Sequence, residues 1–206
     1  ALCEDFWNGT INLQCLNTSL ITLIPKKLTL ETVNDYRPVS LLNCVLKVIT
    51  KILSEWLQRW ILKVVHRNQY GFIKNRTIED CLGWAFEYLH QCKQSGRETV
   101  ILKLDFEKAF DTMEHSFILK MLECKGFDDR WCMWIKMLLQ SGSSSILLNR
   151  IPGTEFKSKR GVRQGDPISP LLFVLAADLL QSLINKAWRD GLITLPINQP
   201  ASEDYP

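Results

Sequence analysis

A long amphipathic pattern between Ser40 and Val64 constrains the fold of this 206-residue chain more than any other feature. Apolar residues recur there at intervals of three and four positions: Leu41, Leu42, Val45, Val48, Ile49, Ile52, Leu53, Trp56, Leu57, Trp60, Ile61 and Val64. This spacing predicts one long helix with a single apolar face. The pattern therefore favours a helix-rich domain.

The composition is sufficient for a substantial core, since 46 % of the residues are hydrophobic and 10 % are aromatic. A peptide hormone, a disordered tail and a disulfide-stapled miniprotein are excluded on this ground. The net charge is only +3, with 25 basic and 22 acidic residues. An anionic partner must therefore be held by a local basic patch rather than by overall charge.

The cysteines and the basic residues indicate the compartment. Seven cysteines are odd in number, none is spaced as C-x-x-C, and most lie in apolar periodic segments, so we expect buried free thiols in a reducing environment. Lys and Arg interrupt every hydrophobic stretch, and no signal peptide is visible. The sequence predicts an intracellular protein with no membrane span.

The remaining patterns predict an α+β fold, with one small sheet covered by helices on one side. Strands are expected over 20–25 and 99–106, and a hairpin over 144–149 and 154–159 with its turn at Arg150–Gly153. Further helices are expected over 77–96, 114–125, 128–140 and 171–188. The tryptophans at helical core spacing are expected to be packing residues: Trp56, Trp60, Trp84, Trp131 and Trp134.

The segment VILKLDFEKAFD, residues 100–111, carries the clearest chemical signal. Asp105 directly follows an apolar strand pattern, a place where a carboxylate can hold a divalent metal against phosphate oxygens. The alternative, about equally weighted on this segment alone, is that Asp105 caps the next helix. Asp111 is a second candidate for that cap.

The segment RGVRQGDPISP, residues 160–170, is a second candidate site. Its glycines and prolines fix an irregular backbone before a helix N-terminus, where free N–H groups suit a nucleotide or a template backbone. Arg163 supplies charge, and Gln164 supplies donors and an acceptor. The alternative is a plain turn with Ser169 as N-cap and Pro170 at the first helical position, in which Asp166 serves only the turn.

Two shorter segments, NDYRPVSLL and NQYGFIKNRT, each place an Arg and an aromatic residue beside a Pro or Gly. Taken singly, the basic residues near them are more often solvated surface charges than ligands: Lys26, Lys27, Arg37 and Arg76. In order along the chain, ITLIPKK, NDYRPVSLLN, NQYGFIKNRT, LKLDFEKAFD and RGVRQGDPISPLLFVLAAD resemble the successive blocks of reverse transcriptases. The resemblance covers residues 20–190 and is closest to non-LTR (LINE-type) retrotransposons of plant kind.

The resemblance implies a right-hand polymerase fold in which the chain, 1–206, is a partial reverse transcriptase domain. The fingers would span about 20–100 and an incomplete palm about 100–206, with the thumb absent. The implied activity is RNA-directed DNA synthesis, which adds dNTPs to a DNA primer 3′-hydroxyl along an RNA template. Two Mg²⁺ ions, replaceable by Mn²⁺, would assist the phosphoryl transfer. Enzymes of this kind work on chromosomal DNA, so the nucleus is the implied place of action.

The resemblance also assigns roles to residues. Asp105 matches the catalytic aspartate that binds both metal ions, and the backbone carbonyl of Phe106 would complete one coordination shell. Phe110 matches the residue that rejects a ribose 2′-hydroxyl by bulk. The incoming dNTP would also contact Lys26 or Lys27, Arg37 and Gln164. Template and primer contacts are implied for Gly71, Arg76, Arg163 and Gly165.

One part of the family pattern is missing, namely an aromatic-Ala-Asp-Asp hairpin after the Gln-Gly segment. Asp178 lies inside a predicted helix, the pair Asp128-Asp129 is typical of a helix start, and Glu203-Asp204 lie in the terminal tail. We therefore expect the 206-residue chain alone to have negligible polymerase activity. The chain would be a fragment that ends before the hairpin.

Two other classes compete with this interpretation. A phosphatase of the haloacid dehalogenase type would need a second Asp at position 107, where this chain has Glu. A non-enzymatic nucleic-acid-binding relic of a retroelement is the stronger alternative. It predicts damage at the residues the chemistry needs, whereas the matching residues are intact.

Overall fold

The computed structural model describes residues 2–195 and residue 197. Its helices are α1 (Leu2–Trp7), α2 (Cys44–Val64), α3 (Ile78–Gln94), α4 (His115–Cys124), α5 (Asp129–Gln140) and α6 (Ser169–Arg189). Its strands are β1 (Thr18–Pro25), β2 (Tyr36–Leu42), β3 (Ser143–Leu148), β4 (Ile151–Pro152) and β5 (Phe156–Lys157). The helix-rich α+β class is confirmed. The terminal tail with Glu203 and Asp204 lies outside the described residues.

The sheet combines a local hairpin with a long-range parallel pair. β1 and β2 are antiparallel, from Ser19 opposite Leu42 to Pro25 opposite Tyr36. β1 also pairs in parallel with β3, from Thr18 opposite Ser143 to Ile21 opposite Ile146. The order is β2-β1-β3-β4, with β5 on β3. The parallel pairing therefore fixes the first hairpin against the second half of the chain.

The second hairpin forms where the sequence predicts it, but its turn lies elsewhere. Asn149 and Arg150 both have positive φ, 50° and 67°, as in the two-residue turns that suit twisted strands. Pro152 lies in β4, and the N–H of Gly153 donates to the carbonyl of Ile146 at 2.9 Å. The expected Pro-Gly turn is thus part of the second arm of the hairpin.

The start of α2 also differs from the prediction. Ser40 and Leu42 are buried and belong to β2, which pairs with β1. The residue before a proline favours an extended backbone, so Arg37-Pro38 favours a strand over a helix here. Asn43 then caps α2, its side-chain oxygen accepting the N–H of Val45 at 2.9 Å. The helix therefore begins at Cys44.

The predicted strand over 99–106 is not formed. These residues have no regular secondary structure, and their apolar side chains are exposed, Val100 by 92 % and Leu102 by 77 %. A strand needs a neighbour to accept and donate its backbone hydrogen bonds. Within the described part of the chain, no strand lies beside this segment.

The core lies along one face of α2 and includes buried residues of α4, α5 and the first half of α6. Its most buried residues include Leu53, Leu57, Ile61, Leu122, Ile135, Leu172 and Val174. Trp131 and Trp134 are buried as expected, but Trp60 is 56 % exposed and Trp84 is also exposed, so the packing prediction is wrong for these two. The thiols are all free, yet only Cys92 is buried, whereas Cys3, Cys15, Cys44 and Cys124 are exposed.

Helix α6 is the one described helix that is long and apolar enough to cross a bilayer, which corrects the expectation that no stretch qualifies. Length and composition alone carry this finding, and core helices pass the same test. Its first half is buried within the protein, including Leu172 and Val174. The buried carboxylate of Asp178 also lies on this helix.

Candidate active site

The loop formed by residues 160–168, here called the Gln-Gly loop, joins two parts of the molecule. On one side, the N–H of Gly161 donates to the carbonyl of Met113 and that of Val162 to the carbonyl of Phe110, both at 2.7 Å. On the other side, the carbonyl of Gln164 accepts the N–H of Ser40 in β2 at 3.0 Å. The loop therefore fixes the turn that follows Asp105 relative to the first hairpin.

Two glycines allow this close approach. Gly161 has a φ of +82°, and a Cβ there would lie 2.8 Å from the carbonyl oxygen of Asp111. Gly165 has a φ of +102°, and a Cβ there would lie 3.1 Å from the carbonyl oxygen of Ser40. Other residues are strained at both φ values, and in addition a Cβ has no space at Gly161 and would be in tight contact at Gly165, so both positions favour glycine.

The loop encloses a small cleft together with β2 and the turn at Asp111. The cleft has a volume of about 160 Å³ and is lined in part by Pro38, Ser40, Asp111, Arg160 and Gln164. Residues of three of the predicted segments, 34–42, 100–111 and 160–170, thus meet around one space, whereas Asp105 and the segment 68–77 do not line it.

The basic end of the β1–β2 hairpin lies on the same strand pair. Arg37 is exposed and lies opposite Ile24, which is two residues before Lys26 in the hairpin. Lys26 donates to the carbonyl of Asn34 at 2.9 Å, and Lys27 pairs with Asp35 at 2.9 Å. The pairing brings the three expected triphosphate ligands to one end of the hairpin.

Asp35 holds the turn between these strands. Its carboxylate accepts the N–H groups of Glu31 and Thr32 at 2.9 and 2.8 Å. These bonds, with Lys27, lower the pKa of Asp35 from 3.8 to about 2. A carboxylate therefore shares the basic end of the hairpin with the lysines.

Asp105 is exposed on the segment that lacks secondary structure. The cap alternative is wrong for both aspartates, since the residue at the N-cap of α4 is Glu114. In the described part of the chain, no three His, Cys, Asp or Glu side chains cluster as a metal site. Asp105 and the carbonyl of Phe106 thus offer hard oxygen ligands, but too few to hold two ions.

Phe110 is positioned by a ring from α6. Its ring stacks on Phe173 with centroids 5.4 Å apart and planes at 23°. Phe106 contacts the same ring edge-on at 6.0 Å. Sequence reasoning did not single out Phe173, although its place shortly after the Gln-Gly loop, in α6, is a usable signal.

The expected template block, residues 68–77, forms a tightly tied loop. Arg76 donates to the carbonyls of His66 at 3.0 Å and Gln69 at 2.6 Å. The side chain of Gln58 bonds the carbonyl of Phe72 and the N–H of Lys74. Gly71 lies within this loop. At least part of the guanidinium of Arg76 is therefore engaged in shaping the loop.

Arg163 points into the protein. Its guanidinium donates to the side-chain oxygen and, at 3.0 Å, to the backbone carbonyl of Asn17. Burial lowers the pKa of Arg163, and the charge of Asp166 opposes that shift. Asp166 accepts the N–H of Ile168 at 3.2 Å before the start of α6, so its expected role in the turn is confirmed. The N-cap of α6 is Ile168, whereas the sequence predicts Ser169.

A buried ion pair behind the site was missed. Lys125 donates to the carboxylate of Asp178 and to the carbonyl of Val64, both at 2.6 Å. The other oxygen of Asp178 accepts the N–H of His66 at 2.8 Å. The only signal in the sequence is an acidic residue within an otherwise apolar helix. The pair ties α6 to the ends of α2 and α4.

The sequence of this chain is similar to those of known proteins. Residues 24–197 match the family described as reverse transcriptase (RNA-dependent DNA polymerase). The chain is 31 % identical over 185 residues to the transposon TX1 uncharacterized 149 kDa protein of Xenopus laevis, covering 90 % of this chain and 14 % of that protein.

Two further relatives are retrovirus-related Pol polyproteins. One, from the type-1 retrotransposable element R2 of Popillia japonica, is 29 % identical over 77 % of this chain and 22 % of that protein. The other, from the type-2 element R2DM of Drosophila melanogaster, is 30 % identical over 84 % of this chain and 16 % of that protein. The chain spans between 14 and 22 % of the length of these three relatives. It belongs to the reverse transcriptase family.

Proposed function

We propose that this chain supplies the fingers and the beginning of the palm of an RNA-directed DNA polymerase encoded by a non-LTR retrotransposon. The substrates are dNTPs, an RNA template and a DNA primer. One observation carries the proposal: the Gln-Gly loop bonds β2 on one side and the Phe110 turn on the other. These bonds fix the positions of the hairpin, the Phe110 turn and the loop relative to one another.

The triphosphate would be held at the basic end of the β1–β2 hairpin. Arg37 is exposed there, and a guanidinium matches phosphate oxygens with two parallel hydrogen bonds. The side chain of Lys27 is 52 % exposed, so its ammonium group could turn from Asp35 towards a phosphate, while the carboxylate of Asp35 stays bonded to the N–H groups of Glu31 and Thr32. Lys26 is one residue away. This end of the hairpin therefore has the chemistry to bind a polyanion.

The sugar and the base would be selected by the turn and the loop. Phe110, held by Phe173, presents a flat ring that would clash with a ribose 2′-hydroxyl. Gln164, fixed through its carbonyl to Ser40, would lie beside the nascent base pair with Gly165. The template strand would run along the loop with Gly71 and Arg76.

Asp105 and the carbonyl of Phe106 are the residues that would contribute to Mg²⁺ binding. When bound, such ions stabilise the charge that develops during phosphoryl transfer. Asp105 would need further carboxylates for this, so the proposal includes negligible polymerase activity of the 206-residue chain alone. The plant origin, the nuclear site of action and the lack of membrane association are part of the same proposal.

Primer extension by the full-length protein that carries this chain tests the proposal. We expect extension of a DNA primer on an RNA template with Mg²⁺ or Mn²⁺, and loss of at least about a thousandfold in rate for Asp105→Asn. Asp129→Asn, at an exposed position in the first turn of α5, is the matched control and should leave the rate unchanged. Binding of the template without any extension would instead support the relic alternative.

A further inference from the structure

We infer that Asn17 is a positioning residue that holds the Gln-Gly loop in place through Arg163. The inference rests on the proposed function, because it concerns how the dNTP-binding loop of that polymerase is fixed. Its basis is the juxtaposition of Asn17, Gly142 and Arg163, which lie far apart in the sequence. The sequence pattern does not predict any of these contacts.

Asn17 is buried, and its side-chain amide and backbone carbonyl form several hydrogen bonds. It is 1 % exposed, and its side-chain amide donates to the carbonyl of Leu138 at 2.8 Å and to the hydroxyl of Ser141 at 2.7 Å. Its backbone carbonyl accepts the N–H of Ser143 at 3.1 Å and a guanidinium N–H of Arg163 at 3.0 Å. Its side-chain oxygen accepts a second N–H from Arg163. Asn17 thus links the end of α5, the start of β3 and the loop.

Gly142 makes room for the guanidinium. A Cβ at this position would lie 2.2 Å from Nη2 of Arg163. The guanidinium cannot simply move aside, because both of its ends are bonded to Asn17. The planar group therefore lies against bare backbone, a fit that an ammonium group on a flexible chain does not reproduce.

Arg163 acts directly on the loop because the residues on either side of it, Val162 and Gln164, both form backbone hydrogen bonds to other segments. Val162 donates its N–H to the carbonyl of Phe110, and Gln164 accepts the N–H of Ser40. Releasing Arg163 would leave its buried guanidinium without its hydrogen bonds to Asn17 and free the backbone between these two bonds. Asn17 thereby sets where Gln164 and Gly165 lie relative to β2 and Phe110.

The first experiment measures amide hydrogen exchange in the 206-residue chain. In Asn17→Ala and Arg163→Lys, we expect exchange at Val162 and Ser40 to rise about tenfold or more, with unchanged exchange in the middle of α2. Arg59→Met, which removes an exposed guanidinium from α2, should change neither. Arg163→Lys keeps the charge and the aliphatic part of the side chain, so hydrogen exchange can still be measured on this variant if Asn17→Ala does not fold.

Unchanged exchange at Val162 and Ser40 in Arg163→Lys would overturn the inference. So would an equal rise throughout α2, since that would show a general loss of stability rather than release of the loop.

The second experiment uses the full-length protein and separates an anchor from a phosphate ligand. For Asn17→Ala and Arg163→Lys we expect a KM for dNTP raised about tenfold or more, with unchanged affinity for an RNA–DNA template-primer and an unchanged dependence of that affinity on salt. If Arg163 bound a phosphate, Arg163→Met would instead lower the salt slope by about one, and Arg163→Lys would restore it. That second result would overturn the inference.

The two experiments fail in different ways. If the unsubstituted full-length protein extends no primer, the proposed function fails, while hydrogen exchange still decides whether Asn17 anchors the loop.

Discussion

At the scale of single residues, the basic end of the hairpin depends on side chains whose partners lie close in sequence. Asp35 is the clearest case. Its carboxylate bonds the N–H groups of Glu31 and Thr32 and pairs with Lys27. It therefore shapes the basic end of the hairpin where the triphosphate would bind.

Asp35 should titrate at about pH 2 in the folded chain, below its ordinary pKa of 3.8. Because the folded-state pKa is lowered, the stabilisation by the carboxylate is fully present above about pH 4 and is lost as the pH falls towards 2. Lys27→Gln should raise the pKa of Asp35 only in part, since the N–H of Glu31 is the larger cause. Carboxyl NMR titration measures this. Lys26→Gln is the control. The Nζ of Lys26 donates to the carbonyl of Asn34 and not to Asp35, so this substitution should leave the titration of Asp35 unchanged.

Phe173 should affect sugar selection without touching the sugar. Phe110→Ala is expected to raise rNTP use relative to dNTP use by about 10- to 100-fold in the full-length protein. Phe173→Ala should give a smaller change in the same direction, because Phe110 loses the ring it stacks on. Single-nucleotide incorporation with paired dNTP and rNTP measures the ratio. Phe156→Ala on exposed β5 is the control, and an effect as large as that of Phe173→Ala would contradict the expectation.

At the scale of elements, the sequence predicts most helices, but it misplaces some local boundaries, such as the hairpin turn and the start of α2, and it does not predict long-range contacts. Thr77 caps α3 as predicted, because the cap involves only Asp80, three residues away. The strand over 99–106 was predicted wrongly, because a strand exists only if another strand lies beside it. The direction of Arg163 depends on Asn17, whose side chain carries no visible sequence signal.

The Lys125–Asp178 pair is a buried polar link between elements. Lys125→Met leaves the carboxylate of Asp178 buried and unpaired, so we expect a loss of about 3–5 kcal/mol in the free energy of unfolding. Adding Asp178→Asn should recover most of this, because an amide oxygen still accepts the N–H of His66. Urea unfolding of the 206-residue chain measures both variants. Lys120→Met, at an exposed pair with Glu123, should leave the urea midpoint unchanged.

At the scale of the whole molecule, the resemblance to reverse transcriptases identified the family from ordered sequence blocks, whereas the way these blocks meet required the structure. The Gln-Gly loop is the example, since its bonds to Ser40 and Phe110 span more than forty residues in each case. No periodicity in the sequence encodes such contacts. The same limit applies to the exposed apolar segment over 100–104, whose surface was expected to be covered within a sheet.

That segment should make the 206-residue chain associate with itself. Val100, Ile101, Leu102 and Leu104 are all exposed, and an unpaired apolar stretch with strong β propensity is a template for pairing with another chain. The net charge of +3 provides little repulsion. We expect the association to increase with protein concentration, as measured by sedimentation velocity.

Two lysines in the segment should prevent this association. Val100→Lys with Leu102→Lys is expected to remain monomeric at concentrations where the unsubstituted chain associates, because the charges interrupt the apolar stretch. Leu28→Lys with Leu30→Lys adds the same charge in another exposed region and serves as the matched control. If the control pair were equally effective, net charge rather than the 100–104 segment would govern association. If only the first pair is effective, the exposed segment is the surface through which the chains meet.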